Sequence, residues 1–239
     1  MSTILLLLTK LKFAKVLLSV GSMVLAIGGY AMLFGWPFAA GFVGLIFCHE
    51  MGHYVAARQR GLAVSLPMFI PFLGAYISLK DQPHDAETEA YVAYAGPFVG
   101  SLACFGVYFL SRHYDSRLLL ALAQSGFLIN LFNLIPVSPL DGGRITSVLS
   151  PRIWLFGLPL LGAFWFYHPS PLLLVIGLLA LPRLREAWHY DPTAPGNQAY
   201  YGVPLTVKVE YTGLYLVLVL VLAIVTNLLH LELTGGAAQ

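Results

Sequence analysis

The chain has 239 residues, 58% of them hydrophobic and only 10% charged, against about 25% charged in an average soluble domain. So few charges cannot cover a water-facing surface, and a net charge of +2 from scattered Lys and Arg excludes a nucleic-acid-binding patch. Lipid is the expected solvent for most of the exterior, in line with a mean hydropathy of +0.78.

The N-terminal stretch Met1–Lys15 sets Lys10, Lys12 and Lys15 behind a Leu run. A cleavable secretory signal has its positive charge in front, so none is expected. Bilayer-crossing helices need about 20 mainly apolar residues. Such runs are read at Phe13–Leu33, Pro37–Ala57, Glu89–Leu110, Leu118–Pro136 and Leu214–Leu229. Ile153–Leu181 is also apolar but is broken at His168-Pro169-Ser170-Pro171. It is either a hairpin of two short helices or one interrupted span. The segment Gly61–Lys80 (GLAVSLPMFIPFLGAYISLK) carries Pro67, Pro71 and Gly74 among β-branched and aromatic residues. A helix is broken there, and a β-hairpin or re-entrant segment is expected. The predicted fold is an all-α polytopic membrane protein of six to seven transmembrane helices with this small embedded hairpin. One domain is expected over 1–239, with the catalytic part at about 41–150 and C-terminal spans at about 153–229.

Charge sets the orientation. With a cytoplasmic N-terminus and a hairpin over Ile153–Leu181, eleven of the thirteen Lys and Arg fall inside, and only Arg112 and Arg117 fall outside. The positive-inside rule selects this arrangement and favours the hairpin.

The second span contains His49-Glu50-Met51-Gly52-His53. Residues i and i+4 share a helix face, so both imidazoles can reach one metal ion, and Glu50 is placed to take a proton from water. The pattern arises by chance in about one chain in 200 of this composition. Its place in an apolar span adds weight, because a buried acid there costs about 2.5–3.5 kcal/mol on insertion scales. A polar cluster that only glues helices together does not need this spacing. Catalytic zinc takes three protein ligands and keeps an open position. Asp141, in Asn133-Leu-Ile-Pro-Val-Ser-Pro-Leu-Asp-Gly-Gly-Arg144, is the candidate third ligand. Its competing reading is a helix N-cap. Glu186 and the loop bearing Asp81, His84 and Asp85 are rival ligand sources, although a solvated face suits that loop better.

The HEMGH helix together with NLIPVSPLDGG resembles the site-2 protease family of intramembrane zinc metalloproteases. The resemblance covers about Gly41 to Ser150 and includes Ala95-Gly96-Pro97. It implies one Zn²⁺ on His49, His53 and Asp141, with Glu50 as general base. It further implies Asn133 at substrate or oxyanion, and Gly74-Ala75-Tyr76 as a substrate-binding turn. Implied partners are the lipid bilayer and single-pass or hairpin membrane proteins such as membrane-tethered regulators. The implied place is a prokaryotic cell membrane, with the active site toward the cytoplasm. No PDZ or CBS domain of the kind that many relatives carry is expected within these 239 residues.

Other features carry less. Gly96 and Gly100 form a GxxxG that reads as close helix packing. Trp36, Trp154, Trp165 and Trp188 suit an aromatic belt, and His113, His168, His189 and His230 suit span ends. Cys48 and Cys104 read as packed thiols rather than a disulfide. An inactive scaffold or a metal transporter is the alternative function. The scaffold would be expected to lose Glu50 or a ligand, and the transporter to show repeated halves with polar residues in several spans.

Overall fold

Apolar runs separated by Pro, Gly and charge become, in a computed structural model, a helical bundle with one two-stranded sheet. The structure describes residues 3–167 and 169–235, so His168 lies outside the described residues. The order is α1 (Thr3–Phe34), α2 (Trp36–Gln59), β1 (Met68–Ile70), β2 (Gly74–Tyr76), α3 (Ala86–His113), α4 (Arg117–Asn133), α5 (Asp141–Thr146), α6 (Trp154–Tyr167), α7 (Pro171–Trp188), α8 (Pro195–Tyr201) and α9 (Leu205–Gly235). Local chemistry sets the boundaries. Gly35, at φ 80°, breaks α1 from α2, and Pro37 sits in the first turn of α2, where its missing N–H costs nothing. Asp85 caps α3 by accepting from the Thr88 N–H at 2.7 Å, with Glu87 and Glu89 at the positive end of the helix dipole.

Three described helices are long and apolar enough to cross a membrane: Phe13–Phe34, Ala86–His113 and Leu205–Gly235. This is fewer than the six to seven read from hydropathy. The α4 and α6 helices have 17 and 14 residues, or about 26 and 21 Å at 1.5 Å per residue, short of a hydrocarbon core of about 30 Å. The fourth predicted span ends early because α4 stops at Asn133, ahead of Pro136. The broken stretch folds as the two short helices α6 and α7, which pack together through Leu161, Leu173, Ile176 and Ala180. Arg152, just before α6, donates to the Tyr190 carbonyl just after α7 at 2.9 Å. The two outer ends therefore meet, which makes the pair a hairpin.

The central element is α3, which packs against α2, α4, α5 and α9. Its main core holds Cys104, Phe127, Leu134 and Leu222, with Phe105 edge-on to Phe127 at 4.8 Å. Ion pairs sort the helix ends. Arg60–Glu87 at 3.2 Å and Arg144–Glu89 at 3.3 Å join the end of α2, the start of α3 and α5. Arg112–Glu232 at 2.5 Å joins the far end of α3 to the end of α9. Arg60 and Arg144 are thus gathered at one end of the bundle, with Arg112 at the other. Cys48 and Cys104 are both free thiols. Trp154 departs from the belt reading: it is buried, and its indole N–H donates to the Gly143 carbonyl at 2.7 Å.

The Gly61–Lys80 segment is the expected antiparallel hairpin, with Met68 opposite Tyr76, Phe69 opposite Ala75 and Ile70 opposite Gly74. Its base continues through Ser65 N–H to Ser78 O at 2.9 Å and Lys80 N–H to Ala63 O at 2.8 Å. Between these pairs, three steps on one strand face two on the other. The resulting bulge takes in Pro67, whose ring has no N–H to give the ladder. At the tip, Leu73 N–H reaches Ile70 O at 3.1 Å, with Pro71 and a Phe72 of φ 65° between them. The Phe72 ring packs edge-on to Tyr30 at 5.3 Å. Two serines of α1 hold the near strand: Ser19 donates to the Pro67 carbonyl at 2.5 Å, and Ser22 Oγ accepts from the Phe69 N–H at 3.1 Å.

Those two serines are the polar clamp between α1 and the hairpin. Replacing both with Ala leaves a backbone donor and acceptor unpaired, at a cost of about 1–3 kcal/mol each. The expected outcome is faster hydrogen exchange at Phe69 and its neighbours, with α3, α4 and α9 unchanged. Exchange measured by mass spectrometry in detergent checks it, and unaltered protection over residues 66–79 would show that the clamp is not needed.

Candidate metal centre

Helical spacing puts His49 and His53 one turn apart on the buried face of α2. Their rings sit 4.8 Å apart, nearly perpendicular, with the two Nε2 atoms at 3.1 Å. Each ring is held by its other nitrogen. His53 Nδ1 lies 2.8 Å from the Val92 carbonyl, which can only accept, so Nδ1 carries the proton. His49 Nδ1 lies 2.8 Å from Asn130 Oδ1, while Asn130 Nδ2 donates to the Gly126 carbonyl at 2.9 Å. The amide is thereby oriented oxygen-first, and His49 Nδ1 also carries its proton. In both neutral rings the Nε2 lone pair is left facing inward.

Asp141 completes the set. Its Oδ2 stands 3.1 Å from His49 Nε2 and 3.2 Å from His53 Nε2. It is the first residue of α5, and the N-cap position belongs to Leu140, so the capping reading does not apply. The chain after α4 doubles back to deliver it. Added Cβ atoms at Gly142 and Gly143 would collide with the backbone of Leu134 and Val137, so this close return needs glycine. Trp154 then holds the Gly143 carbonyl from the opposite side.

With both rings neutral, three acceptor atoms lie within 3.1–3.2 Å of one another with no proton among them, and they repel unless a cation sits between them. Two neutral imidazoles and a carboxylate are a ligand set that zinc favours. The spacing is close to the ~3.3 Å edge of a tetrahedron with ligands at about 2.0–2.1 Å. The residues therefore fit a zinc ion. Glu50 belongs to the same buried cluster, its carboxylate within 4.8 Å of the His49 and His53 ligand atoms, and it interacts with the backbone N–H of Ile77 just beyond β2.

A cavity of about 540 Å³ opens on this cluster. Asn133, the last residue of α4, lines it beside His49, Glu50 and Asp141. Gly74, Ala75 and Tyr76 form β2 and supply one wall, and α7 supplies another through Leu172, Ile176 and Leu179. In the two-stranded sheet, β2 has one edge on β1 and the other free of strand partners among the described residues. The rival ligands are elsewhere. Glu186 is half exposed and paired with Arg183 at 2.9 Å. Asp85 is a helix cap, Asp81 accepts from the Ala63 N–H at 3.1 Å, and His84 is exposed.

Two features escaped the sequence reading. One is Asn130, whose only signal was a polar side chain inside the apolar α4, three residues before Asn133. The other is the purpose of the α3 glycines. A Cβ at Gly96 would strike the His53 ring, and one at Gly100 would meet the Asn130 amide at 2.5–3.1 Å. The GxxxG therefore seats side chains of the metal centre rather than only bringing two backbones together. Gly52, between the two histidines, lies against the Ala95 carbonyl of the same turn. Pro97 withdraws a backbone N–H from this part of α3, where Val92 O serves His53.

Residues 37–116 match the model of Peptidase family M50. The chain is 30% identical over 155 residues to "Probable zinc metalloprotease EGY1, chloroplastic" of Arabidopsis thaliana, covering 45% of this chain and 28% of that protein. It is 29% identical over 117 residues to a zinc metalloprotease of Methanocaldococcus jannaschii, covering 46% of this chain and 33% of that protein. The match thus spans about a third of those relatives' own length. Among solved structures, the site-2 protease from Methanocaldococcus jannaschii aligns with a TM-score of 0.44 at 24% identity, over 70% of this chain and 84% of that one. The segment that carries the HEMGH helix and most of its α3 cradle is the part that matches the model of Peptidase family M50.

Proposed function

We propose that the chain is a zinc-dependent endopeptidase that cuts membrane-embedded segments of other membrane proteins. The observation that carries this reading is the meeting of His49 Nε2, His53 Nε2 and Asp141 Oδ2 at 3.1–3.2 Å, beside Glu50 and beneath a free strand edge. Zinc held by those three atoms supplies Lewis acidity and lowers the pKa of its water to about 7.

The residues of the chain do the rest. Glu50 is buried at 6% exposure and lines the cavity, so it is placed to take a proton from the attacking water and pass it to the leaving amine. Asn133 offers an amide N–H toward the developing oxyanion. A peptide bond in a transmembrane helix is shielded by its own hydrogen bonds. Pairing with Gly74-Ala75-Tyr76 replaces those bonds with strand bonds and holds the unwound segment over Glu50. The apolar α7 wall keeps bulk water to the polar side of the cavity.

The three long apolar helices support the reading of an integral membrane protein. In our reading α2, α4 and the α6–α7 hairpin lie within the bilayer beside α1, α3 and α9, in one unit centred on residues 41–150. The face that gathers Arg60, Arg144 and Arg152 is cytoplasmic by the positive-inside rule, which brings the N-terminus and the metal centre to that side of a prokaryotic cell membrane. Substrates are single-pass or hairpin membrane proteins, membrane-tethered regulators among them.

Elemental analysis of detergent-purified protein is expected to give about one zinc per chain, falling to a small fraction in Asp141→Ala. Zinc retained in full by that variant would remove Asp141 from the ligand set, and a wild type that takes up none would remove the mechanism. Glu50→Gln is expected to hold zinc at the wild-type level and lose about 10²–10⁴-fold in turnover of a transmembrane reporter. Unchanged turnover would reassign the base. Ala75→Pro deletes an edge N–H, because Gly74 and Tyr76 are the β2 residues in hydrogen-bonded register with β1 while Ala75 faces outward. It is expected to lower kcat/KM for a helical substrate at unchanged zinc content, whereas undiminished cleavage would rule out strand pairing.

A further inference from the structure

Asn130 is 3% exposed, in the last turn of an apolar helix, and takes no part in the chemistry above. Every polar atom it has is assigned. Nδ2 donates to Gly126 O at 2.9 Å and reaches Cys104 Sγ at 3.7 Å, while Oδ1 accepts from His49 Nδ1 at 2.8 Å. The first contact fixes which way the amide faces, and the second uses that orientation on a metal-cluster ring. Space for the amide is made by Gly100 of α3, where a Cβ would come within 2.5 Å of Oδ1 and 3.0 Å of Nδ2. Packing alone would be served better by a leucine at 130 and an alanine at 100. A buried amide is costly in a medium without water unless its hydrogen bonds are needed.

The partner ring sharpens the point. His53 receives the same restraint from the Val92 backbone carbonyl, which no substitution can remove. His49 depends on a side chain.

We propose that Asn130 is a positioning residue of the metal centre. It fixes His49 as the Nδ1–H tautomer and turns its Nε2 toward Asp141 Oδ2, and Gly100 is the seat that lets it do so. The inference rests on the zinc reading given above. Partners of this kind set ring orientation and ligand basicity, and their loss costs about 10–100-fold in metal affinity.

The test is zinc affinity by chelator competition on the detergent-solubilised full chain, with thermal unfolding recorded beside it. Wild type is measured first. Failure of wild type to bind zinc overturns the metal centre and this inference together. Given wild-type binding, Asn130→Leu is expected to weaken zinc by about 10–100-fold. Asn130→Asp, which keeps an acceptor for His49 Nδ1–H, is expected to hold zinc within about threefold of wild type, in keeping with carboxylate–histidine–zinc arrangements. Gly100→Ala is expected to weaken zinc as Asn130→Leu does, and the double variant Gly100→Ala/Asn130→Leu to be no weaker than either alone. The absorption bands of the cobalt-substituted protein should shift in Asn130→Leu and Gly100→Ala but not in Asn130→Asp. Wild-type zinc affinity in Asn130→Leu, or an equal loss in Asn130→Asp, overturns the positioning role and leaves the metal centre standing. If Asn130→Leu does not fold, Asn130→Asp against Gly100→Ala decides alone: loss in the second without the first supports the role, and any other pattern overturns it.

Discussion

Two imidazole rings anchored by their outer nitrogens are the constraint on which the rest of the structure depends. A free imidazole near a metal can present either nitrogen and rotate about two bonds. Here Val92 O and Asn130 Oδ1 each take one Nδ1 proton at 2.8 Å, and that leaves both Nε2 lone pairs pointing at Asp141. In water such hydrogen bonds are weak net contributors, since solvent competes for every donor. On the buried side of these rings little solvent competes, and an unpaired ring nitrogen is expensive. The same scarcity that makes the polar cluster costly makes its geometry firm.

That geometry explains why α3 looks as it does. The helix contributes no metal ligand, yet three of its turns are shaped around the site. Gly96 clears the His53 ring, Gly100 clears Asn130, and Pro97 lies between them in the turns that carry Val92 and Ser101. Hydrophobic burial does little to hold helices together in lipid, where close packing and interhelical hydrogen bonds must serve. The α3 glycines meet both needs at once. They let α2 approach until Gly52 touches the Ala95 carbonyl, and at that approach the α2 histidines reach across the interface.

Much of this was legible in the residues. The i, i+4 histidines and their carboxylate neighbour fall in one buried cluster, because one helical turn fixes their relation whatever surrounds them. The hairpin of Gly61–Lys80 was legible because Pro67 and Pro71 forbid a helix, and β-branched and aromatic neighbours suit strands. The α6–α7 hairpin followed from the distribution of charge. Helix length was less legible than hydropathy: within Leu118–Pro136 the helix ends at Asn133, ahead of Pro136, and Ile153–Leu181 divides into the short α6 and α7 at the break its sequence carries. Trp154 was misplaced for a related reason. An indole reads as interfacial on composition, whereas a specific carbonyl, that of Gly143, drew this one inward. Asn130 and the work of the glycines were hidden because both arise between helices, where a single sequence carries no distance.

Asp141 poses a separate problem, since it sits on a helix of six residues. A helix that short has almost no stability of its own. Its position must be imposed from outside, and three contacts do so. Trp154 holds the Gly143 carbonyl on one side. Arg144, three residues after Asp141, pairs with Glu89 of α3 at 3.3 Å. Tyr200 of α8 then donates to the other oxygen of Glu89 at 2.8 Å. Two of these contacts are ionic or hydroxyl bonds at the partly hydrated face of the bundle, where an Arg–Glu pair escapes most of the desolvation cost that a fully buried pair carries. The third ligand is thus clamped at the partly exposed face of the bundle, while the histidines are clamped in its buried interior. The metal centre lies where those two kinds of restraint meet, and Glu50 beside it is reached from the same cavity.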